Sequence, residues 1–426
     1  MTQTYNTEIP LPEDFEVPDH VPPELVRDYD FLKTFEPNAL AEPFSKTARV
    51  FEDEDIPPVF FAPGLTIWRG RGSWIATRFQ DIKWVYTDSE VWSNVGAAGF
   101  QATVGETWPM IPLGIDPPEH RKYRNFLDPW FSPKAVDRME PRMRAVANEL
   151  IDAFADAGKC DFSLDFGRVF PVRIFLELMG FPLSRFDDFL DWEYSILHSN
   201  RDPAKVKYGA GNAIRYIREF IEETRAAARD DLASYIVTGS IDGKPLTDDE
   251  VIGMIFFLWV GGLDTVAASL SLIFRRLAMD PRMQRRLRKE RSLIPNAVEE
   301  FLRTQPLVNS SRWAKKDTEL RGVKIRKGDY MVCLNTAGNF DPAEFSCPRE
   351  IQLDRKPIRH FTLAGGPHRC MGSHLARREL RVALEEWFAR VPPFAMQPDA
   401  DLSVYPGLIA APSLPLVWDR PGSAVA

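Results

Sequence analysis

Leu363-Ala364-Gly365-Gly366-Pro367-His368-Arg369-Cys370-Met371-Gly372 is the stretch whose reading decides the fold. Glycines have no Cβ and tolerate positive φ, so this backbone can bend closely around a large flat ligand. After the cysteine, Ala376, Leu380, Ala383, Leu384 and Trp387 repeat at helical spacing. That pattern predicts Cys370 at a helix N-terminus, where free amides and the helix dipole stabilise a thiolate. A thiolate held this way is a strong axial donor to iron. Taken alone, a cysteine is more often buried and inert beside a turn, so the rest of the chain must decide.

With 426 residues, 44% hydrophobic and 12% aromatic, the chain can bury a large core. A net charge of −8 argues against a protein that coats nucleic acid. Cys160, Cys333, Cys347 and Cys370 show no C-x-x-C spacing, which fits neither a disulfide scaffold nor a zinc finger and points to a reducing compartment. The acidic, proline-rich N-terminus lacks a basic segment followed by an apolar one, so no signal peptide is predicted. The apolar run at 252–263 is shorter than the ~20 residues that span a bilayer. The expectation is a cytoplasmic protein with no membrane segment.

Residues 1–45 read as an extended arm and 46–426 as one domain. Residues 64–79 predict a β-hairpin around Gly70-Arg71-Gly72. Asp116-Pro117-Pro118-Glu119 predicts a helix start with an acidic N-cap, and 133–157 a long amphipathic helix. Thr247-Asp248-Asp249-Glu250 predicts a capping box opening a helix that runs to Met279. That helix is apolar nearly all round its first half and so must be buried. Short strands are predicted within 320–334 and near 414–417. The whole reads as mainly α with a small β region.

Gly261-Gly262-Leu263-Asp264-Thr265 is a poor choice for a buried helix interior. A Thr hydroxyl there can bond a carbonyl one turn back and open the ladder, leaving room for a small molecule beside a carboxylate. A packing kink with Asp264 in an ion pair is the competing reading. Glu300 and Arg303 face one side of a helix and can pair, but Glu222 with Arg225 has the same spacing. Arg124, Arg312, His368 and His120 offer donors suited to carboxylates.

Together these residues resemble the cytochrome P-450 (heme-thiolate monooxygenase) superfamily. Its Phe-x-x-Gly-x-x-x-Cys-x-Gly signature is matched at Gly366, Cys370 and Gly372, and Gly261 to Thr265 match its proton-relay signature. Glu300 with Arg303 match its Glu-x-x-Arg, and His120 with Arg124 its His-x-x-x-Arg. Leu363 departs from the signature's Phe, and Ala364 stands where the resembled family carries the following Gly. The resemblance implies a single helix-rich triangular prism with a small β region, heme b on the Cys370 thiolate, and proton delivery through Asp264 and Thr265. It also implies heme contacts from His120, Arg124, Gly261, Arg312, His368, Gly366 and Gly372, with Glu300 and Arg303 structural.

The resemblance sharpens towards the bacterial camphor hydroxylases, but the positions matching their substrate contacts diverge. Trp108 stands where their ketone-binding Tyr lies, with Leu113 for Thr, Phe257 for Leu and Ser310 for Asp; Val260, Val308, Leu408 and Ile409 keep an apolar lining. The resemblance therefore implies a terpenoid or norisoprenoid (ionone-like) ketone, with camphor as the alternative. No flavin or nicotinamide module is read in the sequence. A two-iron two-sulfur ferredoxin and a separate FAD-containing, NADH-dependent reductase are implied, docking at Lys83, Arg121, Arg124 and Arg377. The implied protein is a monomer using O2. A heme-thiolate sensor or electron carrier is the reading from another class, and a peroxide-driven oxygenase is disfavoured by the Asp-Thr pair.

Overall fold

Helices carry most of the chain after Glu119, and several begin where the sequence supplies a cap. The computed structural model describes residues 16–29, 44, 47, 49–64, 72–198, 202–401, 404 and 408–419. Ser132 caps the Pro133–Asp152 helix, and the Asp202 carboxylate accepts from Ala204 N at 2.9 Å to open Pro203–Ala226. Thr247 and Glu250 form the predicted capping box, with Thr247 N donating to Glu250 Oε2 at 2.7 Å.

Three helix expectations need correction. Asp116 does not cap Glu119–Leu127: its carboxylate accepts from Asn94 N at 2.9 Å instead, and Pro118 occupies the cap without a side-chain bond. The helix predicted over 133–157 stops at Asp152. A 3-10 turn follows at Ala155–Ala157, and Gly158 takes a φ of +73°. The central helix is two, Asp248–Gly262 and Thr265–Met279, separated by Leu263 and Asp264.

This central pair is the axis of the core. Taken as one 32-residue stretch it is long and apolar enough to cross a membrane, but 78% of its most apolar window is buried inside the fold, so it is a core helix. Phe274 on its second half stacks on Phe162 at 3.9 Å and meets the edge of Trp387 at 5.1 Å. Those contacts tie the central helix to the one after Cys370, Ser373–Arg390.

A five-stranded sheet runs in the order Val59–Ala62, Ser73–Ala76, Tyr330–Cys333, Ser310–Ala314, Trp92–Ser93. Only the pairing of Ser73–Ala76 with Tyr330–Cys333 is parallel, with Trp74 opposite Met331. Of the hairpin predicted over 64–79, residues 65–71 with the Gly70-Arg71 turn lie outside the described residues, and its second strand, Ser73–Ala76, pairs antiparallel with Val59–Ala62, which precedes the predicted span. Phe394–Met396, Pro415–Trp418 and Lys159–Asp161 form a second sheet. Residues 16–29 of the predicted arm pack against the larger sheet: Val21 and Tyr29 are buried, and Val26 bridges Phe61. His20 Nε2 lies 2.7 Å from Asp329, whose carboxylate also accepts the Trp74 indole N–H at 2.9 Å.

Candidate active site

The cysteine loop is built on backbone contacts. Cys370 N donates to the Leu363 carbonyl at 2.9 Å, closing the loop across the glycines. Gly366 has a φ of +65°, and a Cβ there would fall 1.9 Å from the Tyr86 carbonyl oxygen, so only glycine fits. Ala364 also sits in the left-handed region, with a φ of +53°, at the position where the resembled family carries glycine. Cys370 is not in the helix N-terminus as predicted. Gly372 is the N-cap and the helix starts at Ser373. Burial pushes the Cys370 thiol up, while the Gly372 amide and the charges of Arg124, Arg377 and Arg369 oppose the rise.

Four donors gather near this loop. The His120 and His368 rings lie 4.2 Å apart, and the buried His120 Nε2 has no hydrogen-bond partner among the described residues. Burial first, then Arg124, lowers the His120 pKa to about 4; burial and Arg312 lower that of His368 to about 2. Arg312 is buried over the Tyr86 ring at 5.0 Å and bonds only the Ser311 carbonyl among the described residues. An orphaned buried imidazole nitrogen beside a buried guanidinium with no counter-charge suits an anionic group such as a propionate. Arg124 differs: its Nε bonds Asp128 at 2.8 Å and its Nη1 the Arg369 carbonyl at 2.7 Å, so it braces the cysteine loop.

At the break in the central helix, Thr265 Oγ1 donates to the Gly261 carbonyl at 3.0 Å, the back-bond the sequence predicts. The two glycines there do different work. A Cβ on Gly262 would meet the Phe175 ring at 2.3 Å, whereas one on Gly261 would meet nothing within 4 Å. Between Val251 and Arg275 the residues not fully buried are Phe257, Gly261, Gly262 and Thr265, and three of them, Phe257, Gly261 and Thr265, recur at four-residue spacing, so one stripe faces open space. Asp264 is buried, and its Oδ2 lies 2.5 Å from His198 Nε2. His198 and the buried Glu193 beside it carry no motif, and sequence reading missed both.

Of the apolar positions, Trp108, Val260, Leu408 and Ile409 are buried, while Phe257 and Leu113 are half-buried and Val308 is 43% exposed. The Trp108 indole N–H is already engaged: it donates to Glu106 Oε2 at 2.8 Å, and the ring meets the edge of Phe256 at 5.5 Å. Ser310 is half-buried at the start of its strand, paired with Cys333.

Glu300 and Arg303 form a two-bond fork, at 2.9 and 2.8 Å, with both side chains fully buried. Arg355, unmarked by any sequence motif, adds a third buried charge at 3.0 Å from Glu300. Arg303 also bonds the carbonyls of Asn339, Pro348 and Glu350, pinning the segment that leads to the cysteine loop. Among the expected docking cations, Lys83 and Arg121 are exposed. Arg377 is held by Glu299, which His360 also contacts at 3.2 Å, so its charge is largely committed.

Comparison with known proteins fits this geometry. The family described as Cytochrome P450 matches residues 172–391. A Sinorhizobium fredii protein named "Probable cytochrome P450 127A1" is 38% identical over 89% of this chain and 91% of its own. The crystal structure of cytochrome P450 CYP101C1 is 34% identical with a TM-score of 0.79, and that of CYP101J2 is 32% identical with a TM-score of 0.81. Each covers 95% of this chain and all of its own. The chain belongs to the cytochrome P450 family. It is a heme-thiolate monooxygenase, carrying heme with a cysteine thiolate ligand and working with O2 and redox partners. A non-catalytic sensor or electron carrier is thereby set aside.

Proposed function

We propose that Cys370 supplies the thiolate ligand and that Asp264 and Thr265 serve proton delivery in the oxygenation of a small apolar ketone of terpenoid or norisoprenoid type. When bound, the heme supplies the oxygen-activating chemistry. The chain's own residues do the rest. His120, His368 and Arg312 hold carboxylates, Gly366 and the Leu363 carbonyl shape the cysteine loop, and Gly261 leaves the space that Thr265 borders. The observation that carries this reading is the Thr265–Gly261 back-bond at 3.0 Å with Asp264 adjacent, an opened helix in the middle of the core. A packing kink alone would not leave the 257–261–265 stripe uncovered.

The substrate class is supported by the apolar lining and by the likeness to the two CYP101 structures. Because the Trp108 N–H is spent on Glu106, shape rather than a tryptophan hydrogen bond would orient the ketone. Electrons would come from a two-iron two-sulfur ferredoxin served by an FAD-containing, NADH-dependent reductase. Lys83 and Arg121 are exposed cations for its docking, while Arg124 braces the cysteine loop and Arg377 is committed to Glu299.

The test has two parts. Ferric protein titrated with ionone-class ketones is expected to convert its heme spectrum fully; fuller conversion by camphor would return the assignment to a camphor hydroxylase. With a substrate in hand, Thr265→Ala is expected to keep consuming reductant while product falls at least tenfold and peroxide accumulates. Intact coupling would remove Thr265 from proton delivery.

A further inference from the structure

We propose that Glu193, His198 and Asp264 form a site for one divalent transition-metal cation of the zinc class, set behind the break in the central helix. Glu193 lies in the last part of the Phe186–Leu197 helix, His198 follows its end, and Asp264 lies between the two halves of the central helix. One imidazole and two carboxylates converge there: each offers a ligand atom, and these atoms all lie within 4.8 Å of one another. His198 Nε2 and Asp264 Oδ2 are 2.5 Å apart. Bonds of about 2.0–2.2 Å to a tetrahedral cation set ligand atoms roughly 3.3 Å apart, so the observed spacings bracket what a cation needs.

Two further observations point to a ligand. Glu193 is 2% exposed, and its Oε1 has no hydrogen-bond partner among the described residues. It lines a cavity of about 30 Å³ together with His198, Asp264, Ser163, Arg168 and Ser271. That is room for an ion and a water as fourth ligand. The electrostatics agree: burial, then the neighbouring Asp264 charge, holds the Glu193 carboxyl well above its ordinary range, with Arg168 opposing. A cation relieves both penalties. The mixed nitrogen and oxygen donors suit Zn2+, Co2+ or Ni2+ better than Ca2+, which takes six to eight oxygens. A seated cation would engage the Asp264 carboxylate, so occupancy would withdraw that group from proton delivery.

Metal binding itself does not rest on the oxygenation reading, so the two can fail separately. Heme-loaded protein, stripped with a chelator and desalted, is titrated with Zn2+ against a chromogenic competitor. Zinc-edge X-ray absorption is then recorded on the wild type. One equivalent is expected to bind in a shell of nitrogen and oxygen donors at about 2.0 Å that includes imidazole. Glu193→Gln and His198→Gln are each expected to weaken binding at least tenfold. Absence of a stoichiometric site, or affinity unchanged in both variants, overturns the proposal. Should either variant fail to fold, the wild-type shell decides: sulfur in it, as from the exposed Cys347, or no imidazole, also overturns the proposal.

Discussion

Gly262 and Phe175 are so close that a Cβ at 262 would stand 2.3 Å from the aromatic ring. The Val169–Met179 helix, which carries Phe175, thus packs against the central helix immediately before its break. Gly262→Ala must push that ring aside and is expected to cost about 1–3 kcal/mol. Gly261→Ala meets no atom and gains about 1 kcal/mol of helix propensity, so it should not destabilise. Urea unfolding of the two variants checks the contrast; equal losses would mean that the ring contact is not what excludes a side chain.

The same spacing of Glu and Arg has different consequences at two of its sites. Glu300→Gln leaves the buried guanidiniums of Arg303 and Arg355 without their counter-charge and is expected to cost about 3–5 kcal/mol. Glu222→Gln breaks the exposed pair with Arg225 and is expected to cost about 0.5 kcal/mol or less. Thermal and chemical denaturation of both variants would show it, and heme retention should fall only in the first.

Ala364 occupies the left-handed region, where a Cβ is strained. Ala364→Gly is expected to stabilise the protein by about 0.5–1 kcal/mol, net of glycine's greater entropy in the unfolded chain. A shift of the urea midpoint to higher concentration, with no loss of heme, is the confirming result. A lower midpoint would show that the Ala364 methyl packs favourably enough to offset its backbone.

Glu299 gives the protein an acid limit. Burial raises its pKa, but bonds from His360 and Arg377 prevail and hold it at about 2, below its ordinary 4.5. With the folded value depressed, the unfolded chain binds more protons as pH drops. The stabilisation is therefore complete above about pH 4.5 and is lost as pH falls towards 2. Glu299 is 27% exposed, so the slope should not exceed about 1 kcal/mol per pH unit. Glu299→Gln is expected to flatten stability over that window; an unchanged profile would place the acid sensitivity elsewhere.

Much of this protein was legible in the sequence, because glycines, caps and buried apolar runs act locally. The Thr247 capping box, the Thr265 back-bond and the need for glycine at 366 follow from the chemistry of single turns. Cap geometry at Asp116 was not legible, since Asn94 competes for that carboxylate from another part of the chain. Cys370 stands two residues before the Gly372 cap rather than at the helix N-terminus itself, because periodicity marks a helix face better than its first residue. Only tertiary structure brings Glu193 and His198 to Asp264 and adds Arg355 to Glu300. The physical reason is common to both. A buried charge or donor must find a partner wherever folding puts one, and sequence spacing carries no record of contacts made between distant segments.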